Sequence, residues 1–521
     1  MSERVRSWWG WGFEDAKPSP ADVRAAAEGI VGALGFGSTD VEDPVALSAV
    51  VLPAPRVAPP DPLFSDDHRA RVTHAKGCSY VDSIKAFRGV VDHPPDLVAF
   101  ARSERDVERV LEWAAGANAA VIPYSGGTSV VGGVEPRVPD RFDAVVSLDV
   151  GGLDALLEVD PVSRAARIGA GAAGPRVESL LAEHGLTMRF FPQSFELSTL
   201  GGWVATRAGG HFAMGDTHAE DLVESVRAVT PVGMWDSRRL PGSGAGVSPD
   251  RMLVGSEGIL GVITDAWMRV QPKPAFRASR GVRFADFLRG AEAVRELAQS
   301  GLRPANLRLV DALEAAATGA GDGSHALLVL GFESTAVEVD DLLRKGLEIC
   351  GAHGGEWDEP SGSGGGGSVS AWRDAFLRMP YLRDVLMSLG VLSDTFETAI
   401  TWERFPAFHE QVVDAVRAAL GEPCRVTCRF THVYPDGPAP YYTVIAPARR
   451  GDEVAQWGEM KAAASDALIN AGGTITHHHA VGRDHRPWYD RQRPDVFAGA
   501  LRAAKAAVDP AGMLNPGVLI D

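Results

Sequence analysis

VIPYSGGTSVVGGV, residues 121–134, is an apolar strand that opens into a Gly-Gly-Thr-Ser-x-x-Gly-Gly turn. Gly126, Gly127, Gly132 and Gly133 leave backbone N–H groups uncovered and permit positive φ, while Thr128 and Ser129 add hydroxyl donors. Such a turn is a nest for a pyrophosphate. The common alternative, G-x-G-x-x-G running into a helix, does not fit, because here the glycines lead back into a β-like Val130-Val131 step. The phosphates are therefore expected on loop amides and not on a helix terminus.

Two later segments share this character. PQSFELSTLGGWVATRAGG (192–210) mixes Ser198, Thr199, Gly201, Gly202 and Thr206 with apolar residues. VGSEGILGVITDAWMRV (254–270) places Ser256, Glu257, Gly258 and Gly261 in a turn before a strand. Three separated Gly-Ser-Thr loops, each attached to a strand, suit a long ligand clamped along its length, and they favour FAD over a mononucleotide.

The composition is that of an ordinary soluble globular chain of 521 residues, long enough for two to four domains. Four scattered cysteines give no disulfide framework and fit a reducing compartment, and the Cys424/Cys428 pair reads as part of a buried strand. The opening MSERVRSWWGWG lacks the apolar core of a signal peptide, and no apolar run approaches the roughly 20 residues that span a bilayer, so a cytoplasmic protein is expected. A net charge of −17 argues against nucleic acid as partner, and an anionic substrate would need Arg and His to reverse the sign locally.

In chain order, residues 1–84 read as a Trp- and Pro-rich extension packed on the body, with the Trp8–Phe13 cluster as a plug or a direct substrate contact and 51–62 as an extended connector. Residues 85–275 read as a compact α+β domain: Ser103 caps a helix carrying Val107, Val110, Leu111 and Ala114, and strands are expected at 143–149 and 165–172 with a helix at 175–185. From 276 to 475 strands and helices alternate, which suggests a βαβ-rich cap, interrupted by a flexible PSGSGGGGS at 360–368. Residues 476–521 return to the first domain.

The chemistry-bearing residues cluster late. In an extended segment His477 and His479 face one side and His478 the other, and with no Cys, Asp or Glu at ligand spacing nearby no metal site is expected. Proton transfer or anion binding is favoured over a loop of incidental histidines. Arg483 and Arg486 follow closely and are expected to carry positive charge toward a phosphate or carboxylate. Arg308 and Arg383 sit among apolar neighbours and need anionic partners, structural or substrate. Tyr441 and Tyr442 are core aromatics or phenols directed into a cofactor pocket.

With PYSGGTSVVGG, PQSFELSTLGGWVATRAGG, GSEGILGVITDA, LRLVD, YLRD, FETAITWER, TCRFTHVY and HHHAVGR in view, nearly the whole chain resembles the alkyldihydroxyacetonephosphate synthase family of the vanillyl-alcohol-oxidase-type FAD-binding superfamily. The glycine loops mark the superfamily, and HHHAVGR with YLRD and FETAITWER marks the branch. The implied fold is α+β, a PCMH-type FAD-binding domain with an α/β cap. The resemblance places the pyrophosphate on 123–133, from Pro123 and Ser125 to Gly133. It places the rest of FAD along 192–207, adding Pro192, Ser194, Trp203 and Arg207, and along 255–263, adding Val262 and Ile263. It sets Arg383, Tyr441, His478 and His479 at the flavin N5 face, with Arg308 in support.

The family's reaction has no net redox change: acyl-dihydroxyacetonephosphate loses its fatty acid, its carbon is held on flavin N5, and a fatty alcohol enters to form an ether. No His stands in or beside the phosphate loop, so non-covalent FAD is expected. A homodimer and a peripheral contact with membrane are expected alongside, without a peroxisomal signal, since the chain ends Leu-Ile-Asp. The alternatives are an FAD-linked oxidoreductase acting on a 2-hydroxy acid or alcohol, and a flavin-binding protein without catalysis. The first usually carries Glu-His-Gly-x-Gly where this chain has His477-His478-His479-Ala480-Val481-Gly482.

Overall fold

A computed structural model describes residues 4–358 and 379–521. The PSGSGGGGS segment expected to be flexible lies outside them.

Four strands form the first sheet in the order Phe64–Ser65, Leu97–Phe100, Ala144–Asp149, Ala119–Tyr124. The last three are parallel, and the helix Glu104–Gly116, capped by Ser103, makes the crossover onto the strand that carries the phosphate loop. Both faces of that sheet are covered, which is why AAVI is a continuous apolar run with no alternation. The chain's end closes the edge. Val121 N–H donates to Met513 O (2.8 Å) and Asn515 N–H to Val121 O (2.9 Å), so the last segment packs beside the strand that carries the loop.

The second sheet is antiparallel, in the order Leu156–Asp160, Ala165–Gly169, Val262–Arg269, Val223–Thr230, Gly233–Asp236. The helices Gly174–Ala182 and Leu200–Thr206 pack on it through Val177, Leu181, Trp203 and Val204. This core fixes the other two glycine-rich segments relative to the first.

The cap is a six-stranded sheet in the order Phe276–Phe284, Ala326–Ser334, Asn306–Val310, Arg425–Val433, Pro438–Pro447, Val391–Glu397. Every adjacent pair is antiparallel. Phe276–Phe284 and Asn306–Val310 are joined by the helix Phe287–Gln299, but Ala326–Ser334 inserts between them, giving a split β-α-β unit. One face buries Val426, Cys428, Phe430, Tyr442 and Val444 against helices, and the opposite face looks toward the first domain. All four cysteines are buried free thiols, Cys428 in mid-strand.

The N-terminal aromatic cluster is a plug that also reaches the interior. Trp8 and Trp11 are buried, Trp11 N–H donates to Asp384 Oδ2 (2.7 Å), and Lys17 Nζ pairs with the same carboxylate (2.7 Å). Residues 51–62 carry no helix or strand, as expected for a connector.

Candidate active site

A cavity of about 800 Å³ runs between the glycine loops and the polar face of the cap sheet. Its first wall is built for an anion. Gly127 and Gly132 take left-handed φ of 60° and 67°, and the loop carbonyls turn outward, where Arg6 Nη1 reaches Gly126 O (3.0 Å) and Cys78 N–H reaches Ser129 O (2.7 Å). Among the described residues the N–H groups of Gly126, Gly127, Thr128 and Ser129 have no acceptor, and Ser125 Oγ is buried without a partner. Buried donors of this kind need a ligand. Val130 and Val131 form bends and not the β-like step expected, because Ser129 Oγ accepts from Val131 N–H and Gly133 N–H (3.4 and 3.0 Å) and closes the turn on itself.

Pro192, Ser194, Ser198, Thr199, Gly201, Gly202, Trp203 and Thr206 line the second wall, and Glu257, Gly258, Gly261, Val262 and Ile263 the third. Thr199 Oγ1 and Ser256 Oγ are again buried without partners, whereas Ser198 Oγ is taken up by Trp203 Nε1–H (2.7 Å). The donor set, the open hydroxyls and the length of the cleft fit FAD. Arg207 does not belong here. It caps the Leu200–Thr206 helix in a left-handed turn and its guanidinium leaves the cavity to pair with Glu220 (2.7 and 2.8 Å). Glu257 turns its carboxylate away to accept Val481 N–H (2.8 Å) and Gly482 N–H (2.7 Å), and burial pushes it up to about 7. It ties the histidine loop to the cofactor wall.

The cap's contribution follows from strand register. Glu397 pairs with Tyr441 and Tyr441 with Arg429, so the three share one row on the cavity face, and Thr395, Thr443 and Thr427 form the next. Tyr442 points the other way and stacks on Phe396 in the core. Arg429 is 1% exposed, pairs with buried Glu314 and lies over the Tyr441 ring (3.9 Å to the centroid). Tyr441 Oη donates to Thr395 Oγ1 (2.9 Å), and burial raises the phenol above its ordinary value. Arg308, also 1% exposed, donates to His211 O (2.8 Å), and burial together with the Arg429 charge lowers it to about 9. Arg383 donates to Cys78 O (2.8 Å) and Ser83 Oγ (3.1 Å). Those two acceptors are neutral, whereas Glu257, Glu314 and Asp394 line the cavity alongside the three arginines.

Glu397 is the hub of the histidine loop. Its buried carboxylate accepts Thr476 Oγ1–H (2.6 Å) and the successive N–H groups of His477 (2.6 Å), His478 (3.2 Å) and His479 (2.9 Å). Burial alone would raise it, but the His479 and His477 imidazoles in their charged forms, and after them the Thr476 hydroxyl and the His479 amide, lower it to about 2. His478 and His479 line the cavity and His477 does not. His477 instead sits against Tyr434 Oη (2.8 Å), His218 and His432. The segment is curled round Glu397 and is not extended, so the expected alternation of the three rings is corrected: the second and third share the cavity side. Burial depresses all three imidazoles below the ordinary histidine value.

Arg483 and Arg486 are also corrected: neither lines the cavity. Arg483 donates to Gly132 O (2.9 Å), Pro516 O (2.9 Å) and Asn515 Oδ1 (3.2 Å), bracing the phosphate loop from behind, and Arg486 pairs with Asp490 and Asp521. A guanidinium can serve carbonyls as readily as phosphates, which sequence cannot distinguish. Arg483→Met leaves those acceptors open and is expected to lower stability by about 3 kcal/mol, read by chemical denaturation, with KM for substrate unchanged. Asn515, unsuspected from sequence, links Gly133 O (3.0 Å) and Glu257 O (2.8 Å) and so joins two cofactor loops.

These features define a flavoprotein. A family profile described as FAD binding domain matches residues 95–236, and one described as FAD linked oxidases, C-terminal domain, matches 273–519. An alkyldihydroxyacetonephosphate synthase of Dictyostelium discoideum is 31% identical over 485 residues, covering 88% of this chain and 79% of that protein. One of Caenorhabditis elegans is 31% identical, covering 88% and 81%. A solved alkyldihydroxyacetonephosphate synthase superposes with a TM-score of 0.82 at 25% identity over 98% of this chain and 97% of its own. A Bacillus subtilis glycolate oxidase subunit is more distant, at 24% identity over 82% of this chain and 88% of its own. The chain belongs to the alkyldihydroxyacetonephosphate synthase family.

Proposed function

We propose that this protein exchanges the acyl group of acyl-dihydroxyacetonephosphate for a fatty alcohol and so forms the ether bond of a lipid precursor. The observation that carries this reading is the convergence, on one cavity, of a dinucleotide cradle with Arg308, Arg383 and Arg429 and with Tyr441, His478 and His479. FAD, which the glycine loops would hold without a covalent bond, would supply an electron-poor ring to the reaction. The arginines receive the phosphate and polarise the ketone, which acidifies the adjacent C–H. A neutral His479 takes that proton, and Tyr441, kept protonated by burial, is placed to donate a hydrogen bond to the carboxylate as it departs. Met379, Leu382, Leu386 and Ile445 also line the cavity and give apolar surface to the alkyl chains.

Two tests follow. Anaerobic holoenzyme given acyl-dihydroxyacetonephosphate and labelled hexadecanol is expected to accumulate labelled ether and free fatty acid without stoichiometric flavin reduction. Bleaching of the flavin by 2-hydroxy acids, with no ether, would instead mark an FAD-linked oxidoreductase. Because burial lowers the His478 and His479 values, both rings are neutral at pH 7 and become charged only as pH falls past values below 6.5. The acid limb of kcat/KM is therefore expected below pH 6.5, and a limb above it would contradict the assignment.

Glu397→Gln removes the anion that the loop amides converge on. Turnover is expected to fall about 10- to 100-fold with KM little changed and flavin retained. Glu397 is a positioning residue, and an acid limb displaced from that of the parent protein distinguishes this role from general destabilisation. A bacterial, cytoplasmic protein, a homodimer and a peripheral membrane contact belong to the same reading. Four buried free thiols support the compartment, and sedimentation and vesicle flotation test the others.

A further inference from the structure

At the wall of the cavity, which His432 and His478 line and His477 does not, the curled histidine loop meets the cap strand Arg425–Val433 and creates a cluster that the reaction does not use in full. One ring nitrogen from each of His432, His477 and His478 lies within 4.8 Å of the other two. Tetrahedral coordination at about 2.0–2.1 Å requires nitrogens about 3.3 Å apart. The Nδ1 atoms of His477 and His478, 3.0 Å apart, already meet that spacing.

The surroundings are those of ligating imidazoles. His432 Nε2–H donates to Gly210 O (2.9 Å), which fixes its tautomer and leaves Nδ1 as the lone-pair atom, and that Nδ1 is buried with no partner. His477 Nε2 is held by Tyr434 Oη (2.8 Å). His478 Nδ1 lies 3.5 Å from Glu397 Oε2, a carboxylate placed to balance cationic charge. Metal-bound histidines are oriented in this way by carbonyl, hydroxyl and carboxylate partners on the far side of the ring or beside it.

We propose that His432, His477 and His478 form a site for one divalent transition-metal ion of the Zn²⁺ class, which on binding withdraws His478 from the cavity. Three imidazoles suit such an ion better than Mg²⁺ or Ca²⁺, which take oxygen ligands. The close Nδ1···Nδ1 contact shares one proton between His477 and His478. An ion on both nitrogens displaces that proton to the Nε2 of the same ring, so the two neutral imidazoles bind without net loss of H⁺, and water completes the tetrahedron. Loss of activity on metal binding rests on the function proposed above, whereas binding itself does not.

Holoenzyme titrated with Co²⁺ in a non-chelating buffer is expected to take up one equivalent per chain, read as intense d–d absorption beyond the red edge of the flavin band and chased by Zn²⁺. His477→Gln and His432→Asn are each expected to weaken uptake about tenfold or more, with flavin content reporting that the variants have folded. His218→Asn, whose ring stacks on His432 (centroids 5.6 Å apart) but lies outside the trio, is expected to keep the site. Absence of uptake by the parent protein, equal uptake by both variants, or a weak octahedral Co²⁺ spectrum overturns the proposal. The spectrum of the parent protein decides the matter alone if a variant loses its flavin.

Discussion

His479→Ala is expected to lose ether formation by about 10³-fold while the purified protein keeps a full complement of FAD. The ring lines the cavity and is held from the cap side: its own N–H is bound by Glu397 (2.9 Å), its Nδ1 lies 3.6 Å from the same carboxylate, and its neighbours are Tyr441 and His478. The carboxylate beside Nδ1 favours the tautomer with its proton there, which leaves Nε2 as the base. None of these contacts belongs to the glycine loops, so truncation at Cβ leaves the cradle untouched. The backbone amide, and with it the hold of Glu397 on the loop, also survives the substitution. Stopped-flow or endpoint ether assays on flavin-normalised protein make the check. Loss of flavin in this variant would mean that the histidine loop supports the cofactor and not the chemistry.

The reasons for legibility differ between the two halves of this site. The cofactor cradle was readable because its demands are local. A turn that must leave amides open needs Gly126 and Gly127 in sequence, and the strands that carry the loops are continuous apolar runs. The substrate side is assembled across strands, where the relevant neighbours are register partners. Arg429 and Glu397 meet Tyr441 only through pairing that joins residues 12 and 44 positions away. A signal was present all the same: Thr427, Arg429 and Thr431 are polar at every second position, while Val426, Cys428 and Phe430 between them are buried in the core. Read as a strand with one polar, cavity-facing side, that pattern would have named Arg429. Glu397 lies in FETAITWER, which marked the branch, but nothing local showed its role, because its partners are backbone amides some 80 residues on. The same limit explains Arg483, whose acceptors are carbonyls of distant loops. In the cap, the order of strands and helices was readable, but the insertion of Ala326–Ser334 between two strands was not, since only the folded sheet shows which edges pair.

Gly127→Val is expected to give a folded, colourless protein whose affinity for added FAD is weakened at least about 100-fold. Two independent obstacles act at this position. The backbone sits at φ 60°, where a side chain costs about 1–2 kcal/mol and a β-branched one more. A Cβ there would also stand 2.0 Å from Tyr124 Oη and 2.5 Å from Cζ. Tyr124 has no room to yield: it is buried, its hydroxyl donates to Thr73 O (3.0 Å), and its ring packs on His74 at 4.3 Å between centroids. The loop must therefore move, yet its neighbour Gly126 already sits so tightly on Leu197 that its own Cβ would fall 2.4 Å from the carbonyl. Movement in either direction breaks the alignment of the four open N–H groups that await the pyrophosphate. The fold survives because the turn contributes no side chain to the three main cores. Gly458→Ala, in a helix with nothing within 4 Å of the added methyl, is the matched control and is expected to remain fully yellow. Flavin absorbance against protein absorbance after gel filtration decides the outcome. A fully loaded Gly127→Val protein would remove the pyrophosphate from this loop.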